Sequence, residues 1–135
     1  MIDQAFACPI RVYVEDTDAG GIVFYANYLK YMERARTEFF RSLGFHKPAL
    51  FDGLQFVVKE IDVVYHHPAV LDDLIDVRVM PTKLSRVTIE IQQQVYKEDN
   101  LLAEGRVKLA CVGVEAKRPK PIPVPIHNAL NNYIC

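Results

Sequence analysis

Residues 16–45 read D-T-D-A-G-G-I-V-F-Y-A-N-Y-L-K-Y-M-E-R-A-R-T-E-F-F-R-S-L-G-F. The second half of this stretch has helical periodicity. Tyr28, Met32, Ala35, Phe39 and Leu43 recur at steps of three and four, which lines them along one face. Lys30, Glu33, Arg34, Thr37, Glu38 and Arg41 fall on the other face, where Arg34 with Glu38, and Glu38 with Arg41, are spaced to pair. Leu29, Tyr31 and Phe40 widen the apolar surface, so burial on more than one side is expected. Asn27 suits an N-cap. Gly44 followed by Phe45 suits a left-handed stop with an apolar residue after it. The first half is of another kind. Asp16 and Asp18 stand at the end of an expected strand, residues 10–14, and the Gly20-Gly21 pair ends that strand. A carboxylate just ahead of a glycine turn and a helix start reads either as an Asx-turn without chemistry or as a reaction site. In the second reading the carboxylate serves as base or nucleophile, and the unpaired N–H groups of the helix start favour an oxyanion.

Beyond residue 45 the pattern is that of strands. Residues 46–52 read as a loop or short helical turn. Residues 55–65 form a strand closed by His66-His67-Pro68. Asp72-Asp73 turns the chain into residues 74–82, where Ile75, Val77 and Val79 share a face. Val87, Ile89, Ile91 and Val95 share a face of the next strand, with Gln93 as a polar exception. Asp99-Asn100 reads as a hairpin turn into a last strand, residues 101–114. Pro119, Pro121, Pro123 and Pro125 then forbid regular structure, and residues 126–134 close as a short helix. One strand, one long helix and four strands joined by short turns imply antiparallel neighbours. The layout is therefore α+β, with one helix packed across one face of a curved antiparallel sheet.

The 135 residues fit a single domain, residues 1–135, that needs no disulfide or metal to hold together. Lys and Arg total 16 against 17 for Asp and Glu, and this net charge of -1 offers nucleic acid no global basic footprint. Cys8, Cys111 and Cys135 are odd in number and lack zinc spacing, which suits free thiols in a reducing compartment. Met1 to Ala7 is too short and lacks the basic start of a signal peptide. No apolar run approaches the ~20 residues that span a bilayer. The expectation is a cytoplasmic protein without a transmembrane segment.

Spacing excludes two uses of Asp-x-Asp. A calcium loop counted from Asp16 requires an oxygen ligand at its fifth position and Glu at its twelfth, where this chain has Gly20 and Asn27. Aspartyl phosphotransfer requires a parallel α/β domain. No P-loop sequence occurs. His66-His67 has no third ligand at metal spacing and reads as a strand end; no metal and no cofactor are expected.

D-T-D-A-G-G-I-V-F-Y-A-N-Y-L-K-Y-M-E-R-A-R-T-E-F-F resembles the hotdog-fold acyl-CoA thioesterases, in particular the branch associated with the Tol-Pal system and related to the 4-hydroxybenzoyl-CoA thioesterases. F-V-V-K-E-I-D-V-V-Y from Phe56, L-D-D-L from Leu71 and K-R-P-K-P-I-P from Lys117 extend the match over residues 11–125. The resemblance implies a hotdog fold, a five-stranded antiparallel sheet wrapped around one long central helix. It implies hydrolysis of an acyl-CoA to a carboxylic acid and free coenzyme A. It places the essential carboxylate on Asp18 and the oxyanion N–H at or near Tyr25, with Gly21 and Phe24 beside the substrate and Asp16 bracing the loop. Arg86, Lys117, Arg118 and Lys120 read either as a solvated surface or as the group that holds the coenzyme A phosphates, to which Arg is suited by bidentate contact. Many members of the branch carry His where this chain has Tyr25. A backbone N–H role survives that change, whereas an imidazole role does not. The resemblance implies a homodimer or homotetramer with sites between subunits, and acyl carrier protein is a further candidate partner.

Two rivals remain. A hotdog dehydratase or hydratase uses a His with a carboxylate near the central helix, and no His lies between Glu15 and Phe45. A scaffold that binds acyl-CoA or acyl carrier protein without turnover is the non-enzymatic alternative.

Overall fold

A computed structural model describes residues 6–45, 53–115 and 117–134; the expected turn over residues 46–52 and Cys135 lie outside them. Among the described residues the chain forms β1 (Phe6–Arg11), a 3-10 turn (Val14–Asp16), α1 (Asn27–Ser42), β2 (Leu54–Tyr65), β3 (Leu74–Leu84), β4 (Thr88–Lys97), β5 (Asn100–Gly113) and α2 (Val124–Asn131). The strands make one antiparallel sheet in the order β1-β3-β4-β5-β2. This is the hotdog arrangement implied by the resemblance.

The core lies between α1 and one face of the sheet. Alternation along β3 and β4 turns Ile75, Val77, Val79, Ile89, Ile91 and Val95 inward, all fully buried. Against them α1 sets Tyr28, Tyr31, Met32, Ala35, Phe39 and Phe40. Leu29, expected on the widened apolar face, is exposed instead. Arg36 and the strand exception Gln93 are buried together. The Arg36 Nη1 donates to Gln93 Oε1 at 2.8 Å, and Gln93 Nε2 donates to the Met32 carbonyl at 3.0 Å. A polar strand residue is thus accommodated in the core because it satisfies a polar helix residue.

Several local expectations shift. The first strand starts and ends earlier than residues 10–14, because the Asp16 carboxylate accepts the Tyr13 N–H at 2.9 Å and closes a turn that competes with the ladder. Asn27 is not the cap. Ala26 holds that position without a side-chain bond, and Asn27 Nδ2 instead donates to the Asp16 carbonyl at 2.8 Å, tying the aspartate loop to the helix start. Gly44 does stop the helix. Its φ is +98, and the N–H groups of Gly44 and Phe45 return to Arg41 and Phe40 in a Schellman closure. Among the described residues Glu38 pairs with Arg41 at 3.3 Å, and Arg34 makes no ion pair. The β4–β5 turn is Glu98-Asp99 and Asn100 already opens β5, since Lys97 faces Asn100. The last helix begins before residue 126, at Val124.

The larger correction concerns strand order. β2 and β3 are consecutive but not neighbours: β2 pairs with β5 at one edge, and β3 pairs with β1 at the other. The connector over residues 66–73 crosses between them. His66 and His67 donate to Leu102 on β5, and Asp72 and Asp73 bond to Val12 just past β1. On the way, Ala69 N–H meets the Tyr28 hydroxyl at 2.9 Å and the Ala69 carbonyl accepts the Val23 N–H, so the connector is pinned against the start of α1. Asp73 anchors its far end. Burial works against its charge, but the Lys97 ammonium at 2.8 Å and the Val70 N–H prevail and hold its carboxyl below the ordinary range.

β2 and β5 meet tightly at Gly105. A Cβ there would stand 2.5 Å from the Asp62 carbonyl oxygen and 3.1 Å from Val63 Cγ2. Backbone cannot yield as a side chain does. Gly105→Ala is therefore expected to cost about 2 kcal/mol, read as a lower urea midpoint with an unchanged slope. An unchanged midpoint would mean the strands separate at no cost.

Candidate active site

The aspartate stretch folds into a small hairpin docked on the helix start. Thr17 faces Val23, Asp18 N–H donates to Ile22 O at 2.9 Å, Gly21 N–H returns to Asp18 O at 3.0 Å, and Ile22 bridges to Val70 of the connector. Gly21 carries a φ of +81, which an L side chain rarely adopts. The Asp18 Oδ1 accepts the Gly20 N–H at 2.8 Å, which orients the carboxylate. Its Oδ2 meets no protein donor among the described residues, and the residue is exposed. Asp16 has the other role. Its backbone oxygen accepts from Phe24 N–H and Asn27 Nδ2, and its carboxylate holds Tyr13. It braces the loop.

The helix begins through i→i−3 bonds: Asn27 N–H to Phe24 O, Tyr28 N–H to Tyr25 O, and Leu29 N–H to Ala26 O. That leaves the N–H groups of Tyr25 and Ala26 without a protein acceptor among the described residues. They carry the partial positive charge of the helix start and follow directly on the hairpin that holds Asp18. Phe24 and Tyr25 present exposed rings, 4.9 Å apart between centroids.

Beside Tyr25 lies a mostly apolar cavity of about 250 Å³, walled by Ile22, Tyr25, Tyr28, Tyr65, His66 and Pro68 among others. The Tyr65 hydroxyl donates to the Tyr25 carbonyl at 3.0 Å and fixes the turn that presents the Tyr25 N–H. Burial pushes the Tyr28 and Tyr65 hydroxyls up, so both keep their protons at neutral pH. His66 Nε2 stands 2.9 Å from Glu104 Oε2 at the cavity wall.

Asp18, Gly21, Phe24 and Tyr25 thus share one surface element. Arg86, Lys117 and Arg118 do not join it. Arg118 O accepts from Gly113 at the far end of β5, and Arg86 O accepts from Ile122. Tyr65, at the cavity, faces Ala103 near the other end of that strand. Ten residues of strand, about 30 Å, separate the basic residues from the cavity within one chain.

Tyr65, His66 and Tyr28 wall this cavity and are not among the expected site residues. Tyr65 and His66 read as a strand end and Tyr28 as core. All three positions are as expected in their elements; Tyr28 lies one turn from Tyr25 at the start of α1, and only the path of β2 and the connector brings Tyr65 and His66 to Tyr25. No local signal marks them. Among the described residues no three metal-binding side chains gather, and no helix is long and apolar enough to cross a membrane.

Known proteins share this chain's sequence and shape. Residues 20–104 match the Thioesterase superfamily. The chain is 39% identical over 134 residues to the acyl-CoA thioesterase YbgC of Haemophilus influenzae, covering 98% of each chain. It is 38% identical over 123 residues to the acyl-CoA thioester hydrolase YbgC of Escherichia coli O6:H1, covering 90% of this chain and 92% of that one. The solved structure of a probable thioesterase from Bartonella henselae superposes with a TM-score of 0.83 at 31% identity, over 88% of this chain and 99% of that one. With a matched region that runs from the Gly20-Gly21 turn through α1, β2, β3 and β4 to the start of β5, this chain belongs to the Thioesterase superfamily.

Proposed function

We propose that this protein hydrolyses acyl-CoA thioesters to a carboxylic acid and free coenzyme A, with residues 1–135 forming one domain. The observation that carries the reading is the pairing of a carboxylate with one free oxygen, Asp18, with two unpaired N–H groups at the start of α1. The names of relatives that cover nearly the whole chain support it. The thioester carbonyl oxygen accepts from the Tyr25 N–H, which favours the negative charge that develops there; one such donor contributes about 10²–10³ in rate in acyl transfer. Asp18 then takes a proton from water as water attacks. Alternatively it attacks the carbonyl itself and expels the coenzyme A thiolate, and water hydrolyses the mixed anhydride. Both routes end in the same acid and thiol. The acyl group enters the cavity between Tyr25 and Tyr65, past Gly21 and Phe24.

The basic residues fit this reaction only across two copies. β2 is an edge strand that exposes Val58, Ile61 and Val64, a surface that invites another strand. Antiparallel pairing of two β2 edges sets the Tyr65 end of one copy beside the Leu54 end of the other. Gly113 and the basic residues around it neighbour that Leu54 end. Arg86, Lys117 and Arg118 then hold the coenzyme A phosphates of the opposite copy's substrate, by charge-assisted contacts. The proposed unit is a homodimer, with a homotetramer as its larger form. The cytoplasm is its proposed location, with acyl carrier protein as a second thioester carrier.

Thiol release from butyryl-, palmitoyl- and benzoyl-CoA tests the activity; binding with no release in any of them would favour the scaffold reading. Mixing tests the shared site. Asp18→Asn and the double variant Lys117→Glu/Arg118→Glu are each expected to be nearly inactive. Unfolded and refolded together in equal amounts, they should recover about a quarter of wild-type activity, since half the dimers are mixed and each mixed dimer holds one intact site. No recovery would place both groups in a single chain's site.

The dehydratase reading gains one observation. His66 and His67, remote from α1 in sequence, wall the cavity beside Tyr25. A hydration assay with crotonyl-CoA separates the two chemistries.

A further inference from the structure

Helix α1 starts without a side-chain cap. A capping side chain offers an oxygen to the first N–H groups of a helix. At this helix such an oxygen would compete for the donors on which a thioester oxygen depends. The first turn is held from its other side instead. The Tyr25 carbonyl accepts twice, from the Tyr28 N–H at 3.3 Å and from the Tyr65 hydroxyl at 3.0 Å. The first bond is long. The second reaches in from the end of β2 and leaves both free N–H groups untouched.

The peptide that joins Tyr25 to Ala26 decides what the Tyr65 bond does. It is trans, as are all peptides among the described residues, so its C=O and N–H point in opposite directions. Fixing the Tyr25 oxygen therefore fixes the Ala26 N–H. Ala26 is right-handed helical, with φ -68 and ψ -20, and the bonds from Asn27 to Phe24 and from Tyr28 to Tyr25 give the turn a helical sense. The N–H groups of Tyr25 and Ala26 thus point the same way, ahead of the helix. A bond accepted at the carbonyl also polarises the peptide and strengthens its N–H as a donor. Tyr65 is itself held in place. Its ring stands edge-on to Tyr28 at 5.3 Å and to Tyr25 at 6.3 Å. Burial pushes its hydroxyl up, so it keeps the proton it donates.

We propose that Tyr65 is a positioning residue of the reaction: its hydroxyl holds the Tyr25–Ala26 peptide so that the Ala26 N–H stands beside the Tyr25 N–H as a second donor to the thioester oxygen. This role rests on the reading of the helix start as an oxyanion site. The bond lies within one chain and uses a side chain. It leaves the backbone edge of β2 to a second copy and requires no open face there.

Tyr65→Phe keeps the ring and both edge-on contacts and removes the hydroxyl alone. Its kcat for butyryl-CoA should fall about 20-fold, with KM within about twofold of wild type and a Tm lower by no more than about 4 °C. S-butyl-CoA, a thioether without the carbonyl, should inhibit both proteins equally. The infrared carbonyl stretch of butyryl-CoA, isotope-labelled at that carbon and bound to Asp18→Asn, should lie below that of the free thioester. In the double variant Asp18→Asn/Tyr65→Phe it should return part of the way. The proposal is overturned by an unchanged kcat, by a loss carried wholly in KM, by weaker S-butyl-CoA inhibition, or by a stretch that Tyr65→Phe leaves in place. Failure of the parent reading looks different. An unshifted stretch in Asp18→Asn itself removes the oxyanion site and the role of Tyr65 together. A wild type that releases no thiol fails as a hydrolase, and the effect of Tyr65→Phe on the stretch then decides the positioning role.

Discussion

Asp18→Asn is expected to lower kcat for acyl-CoA hydrolysis by about 10³-fold with little change in Tm. The amide keeps the oxygen that accepts the Gly20 N–H, so the turn from Asp18 to Ile22 persists. It removes the lone pair that takes a proton from water or attacks the carbonyl. The unpaired N–H groups of Tyr25 and Ala26 remain, so the variant should still bind acyl-CoA and retain the part of the rate that comes from the oxyanion site. KM is therefore expected to move far less than kcat. The side chain is exposed, and surface changes of this kind usually stay within about 0.5 kcal/mol. Thiol release from a variant with wild-type Tm is the measurement. Retention of more than a tenth of the activity would remove Asp18 from the chemistry.

Phe39→Ala is expected to destabilise the fold by about 4 kcal/mol, with the Tm falling by more than ten degrees. Phe39 is fully buried and joins parts of the chain that are distant in sequence. Its ring meets Phe6 of β1 at 5.8 Å and Tyr133, just past α2, at 5.1 Å, both edge-on, with Phe40 at 5.6 Å. Truncation leaves a hole where three elements meet, and a helix held by tertiary packing cannot collapse to fill it. Urea denaturation reads the loss. A cost under 1 kcal/mol would mean that β1 and the C-terminal segment do not rest on this ring.

The elements themselves were legible. The period of Tyr28, Met32, Ala35 and Phe39 marked α1, and Gly44-Phe45 marked its end, because both signals are local. Alternation marked the inward faces of β3 and β4 for the same reason. The turn that carries the chain from Asp18 to the start of α1 was legible because a glycine pair and only six residues lie between Asp18 and Tyr25. Where a second bonding partner intervened, the local reading slipped. Asn27 was expected to cap its own helix, but its amide reaches the Asp16 carbonyl. Gln93 broke the alternation, and the reason was Arg36, 57 positions away, which the helical pattern had assigned to neither face.

The sequence by itself determined that this chain is one long buried helix against an antiparallel sheet, and that Asp18 precedes a helix start with N–H groups to spare. Periodicity and turn chemistry act over a few residues, and both features are of that range. Only the tertiary structure decided that β2 leaves its sequence neighbour for β5, because the choice between edges depends on what the connector can bond to. That connector is held by Leu102, the Tyr28 hydroxyl and Val12, none of them near it in the chain. The same crossing delivers Tyr65 and His66 to Tyr25, and it sets Lys117 and Arg118 at the opposite end of the sheet. The aspartate hairpin is thus a local structure, whereas the cavity beside it is built by long-range hydrogen bonds that no spacing along the chain can express.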